Sequence, residues 1–186
     1  MTTIDVNKAG IARTFQNIRL FNELSVEDNV KIGMHNEITY STLDGILKNK
    51  KYYAQEKKAH DRAIELLSIF NLEKFADVKS KNLPYGAQRR LEIARALATE
   101  PKLIFLDEPA AGMNPQETDD LMKTIRRIRD LGITVVLIEH DMKLVMNICD
   151  NITVLNYGQK IAQGTAAEIQ SNPAVIEAYL GKDEDE

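Results

Sequence analysis

Two short apolar runs in the second half of the chain give the clearest pattern in the sequence. Residues 102–106 read KLIFL and residues 133–138 read ITVVLI, and continuous runs of this length are typical of strands buried on both faces. Between them, Leu121, Ile125 and Ile128 form one apolar stripe at helical spacing. This strand–helix–strand order predicts a βαβ unit with a parallel sheet.

The helix between the two runs is marked at both ends. Asn114 is expected to be its N-cap, with Pro115 at the first helical position and Glu117 at the capping-box position. Gly132 stands where the helix should end. These signals fix the predicted helix to the segment between Asn114 and Gly132.

The first half of the chain predicts a short strand followed by a helical region. Residues 10–15, GIARTF, have the pattern of a short strand, and residues 17–99 read as mostly helical. Residues 53–70 are rich in Ala, Lys and Glu and predict an amphipathic helix, and another helix opens near Gly86. The fold class is therefore α/β with a helical insertion.

The end of the chain predicts a hairpin and two helices. Residues 152–155 and 160–162 read as a strand and a return strand, joined by a turn at 156–158. Thr165 opens a capping box for one helix, and residues 174–180 form the other.

Composition excludes several classes of protein. The 186 residues carry 44% hydrophobic and 28% charged side chains, as expected for one globular domain. The net charge of −4 gives no electrostatic case for binding nucleic acid. Cys149 is the only cysteine and cannot form an internal disulfide, which suits a reducing compartment. No apolar stretch approaches the roughly 20 residues that cross a bilayer, so we expect a cytoplasmic chain.

Candidate chemistry gathers where the predicted strands end. Asp107 and Glu108 follow the first apolar run, and ligands of open parallel sheets bind beyond the carboxyl ends of strands. One carboxylate there can hold Mg²⁺ while another orients an attacking water, although an acidic pair also simply ends many strands. Gly86 precedes a helix and offers an anion site, and His140 follows the second run.

Five segments in a fixed order strengthen this hypothesis. They are ARTFQN (12–17), LPYGAQ (83–88), LIFLDEP (103–109), AAGMNP (110–115) and IEHD (138–141). In that order they resemble the strand before the Q-loop, the signature motif, the Walker B strand, the D-loop and the switch histidine of the ATP-binding cassette (ABC) ATPases. Longer matches, such as YGAQRRLEIARAL and NPAVIEAYLG, resemble an ATPase subunit of branched-chain amino acid importers. The lipopolysaccharide-export ATPase is a near relative.

The resemblance implies a P-loop NTPase-type parallel sheet with a helical subdomain, and ATP and Mg²⁺ as cofactors. Residues 17–99 would form the subdomain, and residues 1–16 and 100–186 the core of one partial ABC ATPase domain. Asp107 would hold Mg²⁺, and Glu108 would act as the base or orient the water. Gln16 would sense the metal and the water.

Further roles come from the same resemblance. His140 would contact the γ-phosphate of ATP. The signature residues would contact the ATP of a second ABC ATPase subunit, in a homodimer or a heterodimer, and Asn114 would lie at the dimer contact. These signature residues are Leu83, Pro84, Tyr85, Gly86, Ala87 and Gln88. Gln16 would link to transmembrane permease subunits, which would place the chain on the inner face of the cell membrane.

Two departures from the family pattern affect the expected activity. Pro84 stands where the signature has a serine, and the lost hydrogen bond to a phosphate is worth roughly 1.5–3 kcal/mol. The phosphate loop G-x-x-x-x-G-K-[ST] is absent from the 186 residues. We therefore expect a truncated chain that is a poor or inactive ATPase alone, and whose independent folding is doubtful because an interior strand is missing.

Two other classes of function remain open. A non-hydrolysing truncated paralogue would dock on a permease or on another ATPase, and it would bind the membrane subunit without affinity for ATP. A soluble ABC protein of DNA repair or translation would commonly carry two cassettes or long coiled-coil insertions, and neither is visible. Basic pairs such as Arg126-Arg127 are typical of solvated helix faces, so we expect no nucleic-acid partner.

Overall fold

A computed structural model of the chain describes residues 2–35 and 39–180. The chain divides into two compact units, Met1–Ile138 and Glu139–Glu186, which are described separately. Within the described residues, no helix is long and apolar enough to span a membrane.

A three-stranded parallel sheet lies at the base of the first unit. Its strands are β1 (Ile11–Arg13), β2 (Leu103–Asp107) and β3 (Thr134–Ile138), in the spatial order β1-β2-β3. Both pairings are parallel, and Asp107 lies opposite Ile138 in the register. The predicted parallel βαβ unit is confirmed.

The prediction that both apolar runs are buried on two faces is wrong for β3 and holds for only one face of β2, where Leu103 and Phe105 on the other face are half-buried. In β2, Ile104 and Leu106 are fully buried. In β3, no residue reaches full burial, and Ile138 keeps 46% of its surface exposed. The physical reason is position, because β2 has a strand on each side whereas β3 has only β2 beside it among the described strands.

Six helices complete the described part of the first unit, and the four that lie within residues 17–99 confirm the helical character of that segment. The six helices are α1 (Thr3–Lys8), α2 (Val26–Gly33), α3 (Thr42–Leu47), α4 (Lys50–Ile69), α5 (Tyr85–Leu97) and α6 (Pro115–Asp130), with short 3-10 turns at Glu73–Phe75 and Ser80–Asn82. The sequence did not lead us to expect α1 and α3. Both begin with a capping box, from Thr2 and from Ser41.

Helices α2, α4 and α5 pack together around an apolar core. Val30, Leu67 and Leu91 contribute one side chain from each helix and are fully buried. Gly33 permits the close approach of α2 and α5, because a Cβ there would lie 2.5 Å from the carbonyl oxygen of Arg95. The helix that begins at the signature segment is therefore anchored along its length.

Helix α6 has the ends that the sequence predicts. The Asn114 side chain accepts from the Glu117 N–H at 3.0 Å, and the Glu117 carboxylate accepts from the Asn114 N–H at 3.0 Å. After the helix, Gly132 has a φ of +83°, a conformation that favours glycine. The predicted stripe of Leu121, Ile125 and Ile128 is buried.

In residues 139–180, the second unit contains three helices and one hairpin. They are α7 (Met142–Ile148), β4 (Ile152–Asn156), β5 (Gln159–Gly164), α8 (Ala166–Gln170) and α9 (Pro173–Leu180). Strands β4 and β5 are antiparallel, and Tyr157 and Gly158 form the turn with φ values of +46° and +77°. The predicted hairpin and the capping box at Thr165 are confirmed. Helix α7, capped by Asp141, was not predicted.

Candidate functional site

Glu108 and Gln16 meet at the carboxyl end of β2. Glu108 follows the last residue of the strand with a φ of +43°, and its N–H donates to the carbonyl of Ile138 at 2.9 Å. Its carboxylate accepts a hydrogen bond from the Gln16 side-chain amide at 2.7 Å, across 92 positions of sequence. A left-handed backbone costs a residue with a Cβ about 1–2 kcal/mol, so the surrounding contacts must hold Glu108 there. The structure thus brings two of the predicted catalytic residues into direct contact.

Asp107 has a partner that the sequence analysis missed. Its Oδ2 accepts from Nη2 of Arg13 at 2.7 Å, and the two side chains are 20% and 58% exposed. Arg13 ends β1, and the parallel register of β1 and β2 brings it beside the end of β2. No local pattern signals this contact, because it depends on the pairing of strands about 90 residues apart. Arg13 thus places a positive charge directly against the Asp107 carboxylate.

The donor set at this edge fits Mg²⁺ that is shared with a phosphate ligand. Among residues 2–35 and 39–180, no group of three or more His, Cys, Asp or Glu side chains could hold a metal ion by itself. Mg²⁺ usually takes one or two carboxylates and completes its shell with water and substrate phosphates. Asp107 and Glu108 supply two adjacent carboxylates of this kind.

The signature segment forms the first turn of α5. Pro84 is the N-cap, with φ −57° and ψ 153°, and provides no side-chain cap. Its carbonyl accepts from the N–H groups of Ala87 and Gln88, both at 3.0 Å. The Gln88 side chain donates back to the carbonyl of Leu83 at 2.9 Å, and Leu83 is buried. The segment is a well-formed helix start in which Pro84 offers no hydroxyl.

Two contacts join this helix start to the segment around Asn114. A Cβ on Gly86 would lie 2.5 Å from Oε1 of Glu117, so a side chain there would displace the Glu117 carboxylate, which accepts from the Asn114 N–H. A Cβ on Gly112, whose φ is +75°, would lie 3.3 Å from the Tyr85 ring. Asn114 itself caps α6, and its predicted place at a dimer contact stays a prediction.

A buried ion pair on α5 is the second feature that the sequence analysis missed. Arg89 and Glu92 are 0% and 2% exposed, and their side chains are 3.0 Å apart. The sequence holds a partial signal, since the two opposite charges stand at i and i+3, a spacing that brings them together on one helix face. Charged side chains buried in this way need hydrogen-bonding partners. Arg89 donates to the carbonyl of Phe15, and Glu92 accepts from the N–H of Arg19, on either side of Gln16 in the sequence.

His140 lies in the second unit, two residues after the end of β3. Its carbonyl accepts from the Tyr179 hydroxyl at 2.8 Å, and its N–H donates to the Glu139 side chain at 3.3 Å. Its predicted approach to the nucleotide beside Glu108 remains a prediction.

Comparison with known families agrees with this arrangement. The sequence profile described as "ABC transporter" matches residues 2–111. The chain belongs to the ABC transporter family. A second profile, described as "Branched-chain amino acid ATP-binding cassette transporter", matches residues 159–185. The predicted family and the predicted α/β fold class are thus confirmed for this ABC chain.

Individual relatives cover nearly the whole ABC chain. The high-affinity branched-chain amino acid transport ATP-binding protein BraF of Pseudomonas aeruginosa is 46% identical over 178 residues, which are 95% of this chain and 70% of BraF. LivG of Escherichia coli strain K12 is 44% identical with the same coverage. The crystal structure of the ADP conformation of MJ1267, an ATP-binding cassette of an ABC transporter, superposes with a TM-score of 0.77 at 32% identity. That superposition covers 96% of this chain and 71% of MJ1267.

Proposed function

We infer that this chain belongs to the ATP-hydrolysing subunit of an importer for branched-chain amino acids. The observation that carries the proposal is the hydrogen bond between Gln16 and Glu108 beside Asp107, at the carboxyl end of a parallel strand. Ligands of open parallel sheets bind at such edges. The names of BraF and LivG, which are 46% and 44% identical to the chain, support the choice of solute.

The chemistry follows from the positions of three side chains. Asp107 would hold Mg²⁺ together with nucleotide phosphates, and a bound Mg²⁺ would neutralise charge on the transferring phosphoryl group. Glu108 would orient the attacking water and accept its proton. The Gln16 amide would keep the Glu108 carboxylate in place by the 2.7 Å hydrogen bond. Arg13 would balance the charge of Asp107 until the cation binds.

Residues 1–186 alone should turn over ATP slowly. They contain no G-x-x-x-x-G-K-[ST] segment, so they lack the backbone cradle and the lysine that hold the β- and γ-phosphates. Phosphoryl transfer depends on such positioning. The purified 186-residue chain is expected to release phosphate far below the 1–10³ s⁻¹ that is typical of enzymes. A rate inside that range would contradict this proposal.

The implied partners are a second ABC ATPase subunit and transmembrane permease subunits, at the cytoplasmic face of the cell membrane. The start of α5 would face the ATP of the second subunit. At this helix start, the Pro84 carbonyl accepts hydrogen bonds from the N–H groups of Ala87 and Gln88. The exposed Tyr85 ring is also available to that contact. Isolating the complex and measuring the masses of its subunits would show whether the ATPase pair is a homodimer or a heterodimer.

A non-hydrolysing docking subunit is the second candidate. The Arg13–Asp107 ion pair favours it, because an arginine on the metal-binding carboxylate stabilises a metal-free state. Binding to the permease with the same affinity in the presence and absence of MgATP would support this candidate. A large effect of MgATP would support the ATPase.

Uptake by cells tests the proposed solute and the proposed chemistry together. The native gene is replaced by a Glu108→Gln copy, and uptake of radiolabelled leucine, isoleucine and valine is compared with uptake of an unrelated sugar. We expect only the amino acid uptake to be lost. A matched control is Asp130→Asn, an exposed carboxylate at the end of α6. Unchanged leucine uptake in the Glu108→Gln strain would overturn the proposal.

A further inference from the structure

The ion pair on α5 is fully buried, where the attraction between two opposite charges is largely offset by the cost of removing them from water. Arg89 and Glu92 are almost fully inaccessible to solvent, and Nη1 of Arg89 lies 3.0 Å from Oε2 of Glu92. Replacing a buried ion pair by apolar residues of similar size is often neutral or stabilising. The attraction between the two charges therefore gives no sufficient reason for their place on this face of the helix.

Both charged groups also bond to backbone atoms of one irregular segment. Nη1 of Arg89 donates to the carbonyl of Phe15 at 2.6 Å, and Nη2 donates to the carbonyl of Gln16. Oε1 of Glu92 accepts from the N–H of Arg19 at 3.1 Å. The remaining donor, Nε of Arg89, has no hydrogen-bond partner among the described residues. The pair thus satisfies three backbone groups within five residues, which apolar side chains cannot do.

The segment from Phe15 to Arg19 needs such support because it forms neither helix nor strand. The segment lacks the repeating backbone hydrogen bonds of a helix or strand, so its conformation depends on hydrogen bonds to neighbouring groups. The two guanidinium bonds fall on consecutive carbonyls, and the planar fork of arginine suits that arrangement. The backbone of Gln16 is thereby fixed from the side of α5.

The Gln16 side chain points the other way, to the candidate catalytic carboxylate. Its amide donates to Glu108 at 2.7 Å. A continuous path therefore runs from α5 through Arg89 and the Gln16 backbone to the Gln16 amide and Glu108. Helix α5 begins at the signature segment, so one helix carries both that segment and the Arg89 end of the path.

We propose that Arg89 and Glu92 are positioning residues that hold the Gln16 backbone so that its side-chain amide stays on Glu108. A change in the orientation of α5 is then transmitted to the carboxylate through two hydrogen bonds in series, from Arg89 to the Gln16 carbonyl and from the Gln16 amide to Glu108. The placement of Gln16 is independent of any reaction, whereas its effect on hydrolysis rests on the proposed function of Glu108.

The first test measures the placement in the full chain without nucleotide. The variants are Arg89→Met/Glu92→Leu, which keeps the volume of the pair, and Arg89→Lys, which keeps the charge and loses the fork. The control is Arg127→Lys, since Arg127 also donates to a backbone carbonyl, that of Ile69, at 3.0 Å. Circular dichroism establishes that each variant is folded.

Two nuclear magnetic resonance signals report the result. The Gln16 side-chain amide, assigned by its disappearance in Gln16→Ala, is expected to shift to the position of a solvated amide in the double variant. Hydrogen exchange at the Arg19 amide is expected to rise at least about tenfold, because its acceptor is lost. Arg127→Lys should leave both signals unchanged. A folded double variant in which neither signal changes would overturn the proposal.

The second test uses the native ATPase complex that contains this chain. Arg89→Lys is expected to lower kcat about 10- to 100-fold through misplacement of Gln16, with KM for ATP changed less than about twofold. Gln16→Ala should have a similar effect, and adding Arg89→Lys to it should cost little more. Fully multiplicative effects would overturn the positioning role. A wild-type complex without hydrolysis would refute the proposed function, and the resonance test would still decide the placement.

Discussion

Removing one member of the Arg89–Glu92 pair should cost far more stability than removing both. Arg89→Met leaves the Glu92 carboxylate 2% exposed without its cation, and Glu92→Leu leaves a fully buried guanidinium without its anion. Breaking a buried pair in this way typically costs about 3–5 kcal/mol. The two single costs therefore sum to about 6–10 kcal/mol.

The double variant removes both charges and leaves only neutral groups unpaired. The carbonyls of Phe15 and Gln16 lose their donors, and the Arg19 N–H loses its acceptor. At about 1 kcal/mol for each lost hydrogen bond, Arg89→Met/Glu92→Leu should cost about 3 kcal/mol. The coupling between the two sites is then at least about 3 kcal/mol, the difference between this value and the sum of the singles.

Urea unfolding followed by circular dichroism measures the cycle. If a single variant is unfolded in buffer, an osmolyte can stabilise its folded state so that the urea transition becomes measurable, because osmolytes favour the burial of protein surface. The matched control is the exposed pair Asp120–Lys123, also at i and i+3, whose coupling should stay under about 1 kcal/mol. Single costs at the buried pair that add within about 0.5 kcal/mol would refute the interpretation of this pair as mutually dependent.

Three further predictions concern other parts of the chain. Asn114→Ala should lower the free energy of unfolding by about 1 kcal/mol in urea titrations, whereas Asn114→Asp, which keeps an acceptor, should not. Burial alone would raise the pKa of Glu27, but hydrogen bonds and charges from Lys31 and His60 outweigh it and lower this pKa from its ordinary value. The stability that Glu27 contributes is present above the ordinary carboxylate pKa and is lost as the pH falls through the lowered pKa, so Glu27→Gln should flatten the acid limb of a stability–pH curve. Burial, with a smaller effect of the adjacent Asp150 carboxylate, raises the pKa of the Cys149 thiol. Iodoacetamide at pH 8 should therefore alkylate Cys149 several-fold more slowly than a small free thiol, and an equal rate would contradict this expectation.

Local signals in the sequence were sufficient for the elements whose ends are marked by caps. Helix α6 follows from Asn114, Pro115 and Glu117, because capping depends on residues within one turn. The same rule would have found α1 and α3, whose capping boxes start at Thr2 and Ser41. The sequence pattern therefore contained more helices than we assigned from it.

Contacts between distant segments could not be predicted in the same way. The Arg13–Asp107 pair depends on the register of two strands, and the bonds of Arg89 to the Gln16 segment depend on how α5 lies against it. Neither contact follows from the spacing of apolar and polar residues along the sequence. The family motifs supplied the candidate residues of the site, but the partners that these residues contact required the three-dimensional structure. The exposure of β3 has the same origin, since an apolar run does not reveal how many strands flank it.

Phosphate release by the native ATPase complex containing this chain, compared between wild type and Glu108→Gln, tests the proposed catalytic site most directly. We expect kcat to fall at least about 100-fold, because the group that takes the proton of the water is lost. Binding of MgATP should remain within a few-fold of wild type, since Asp107 and the phosphate contacts stay in place. A Glu108→Gln complex that hydrolyses ATP at more than half the wild-type rate would contradict the assignment of Glu108 as the catalytic carboxylate.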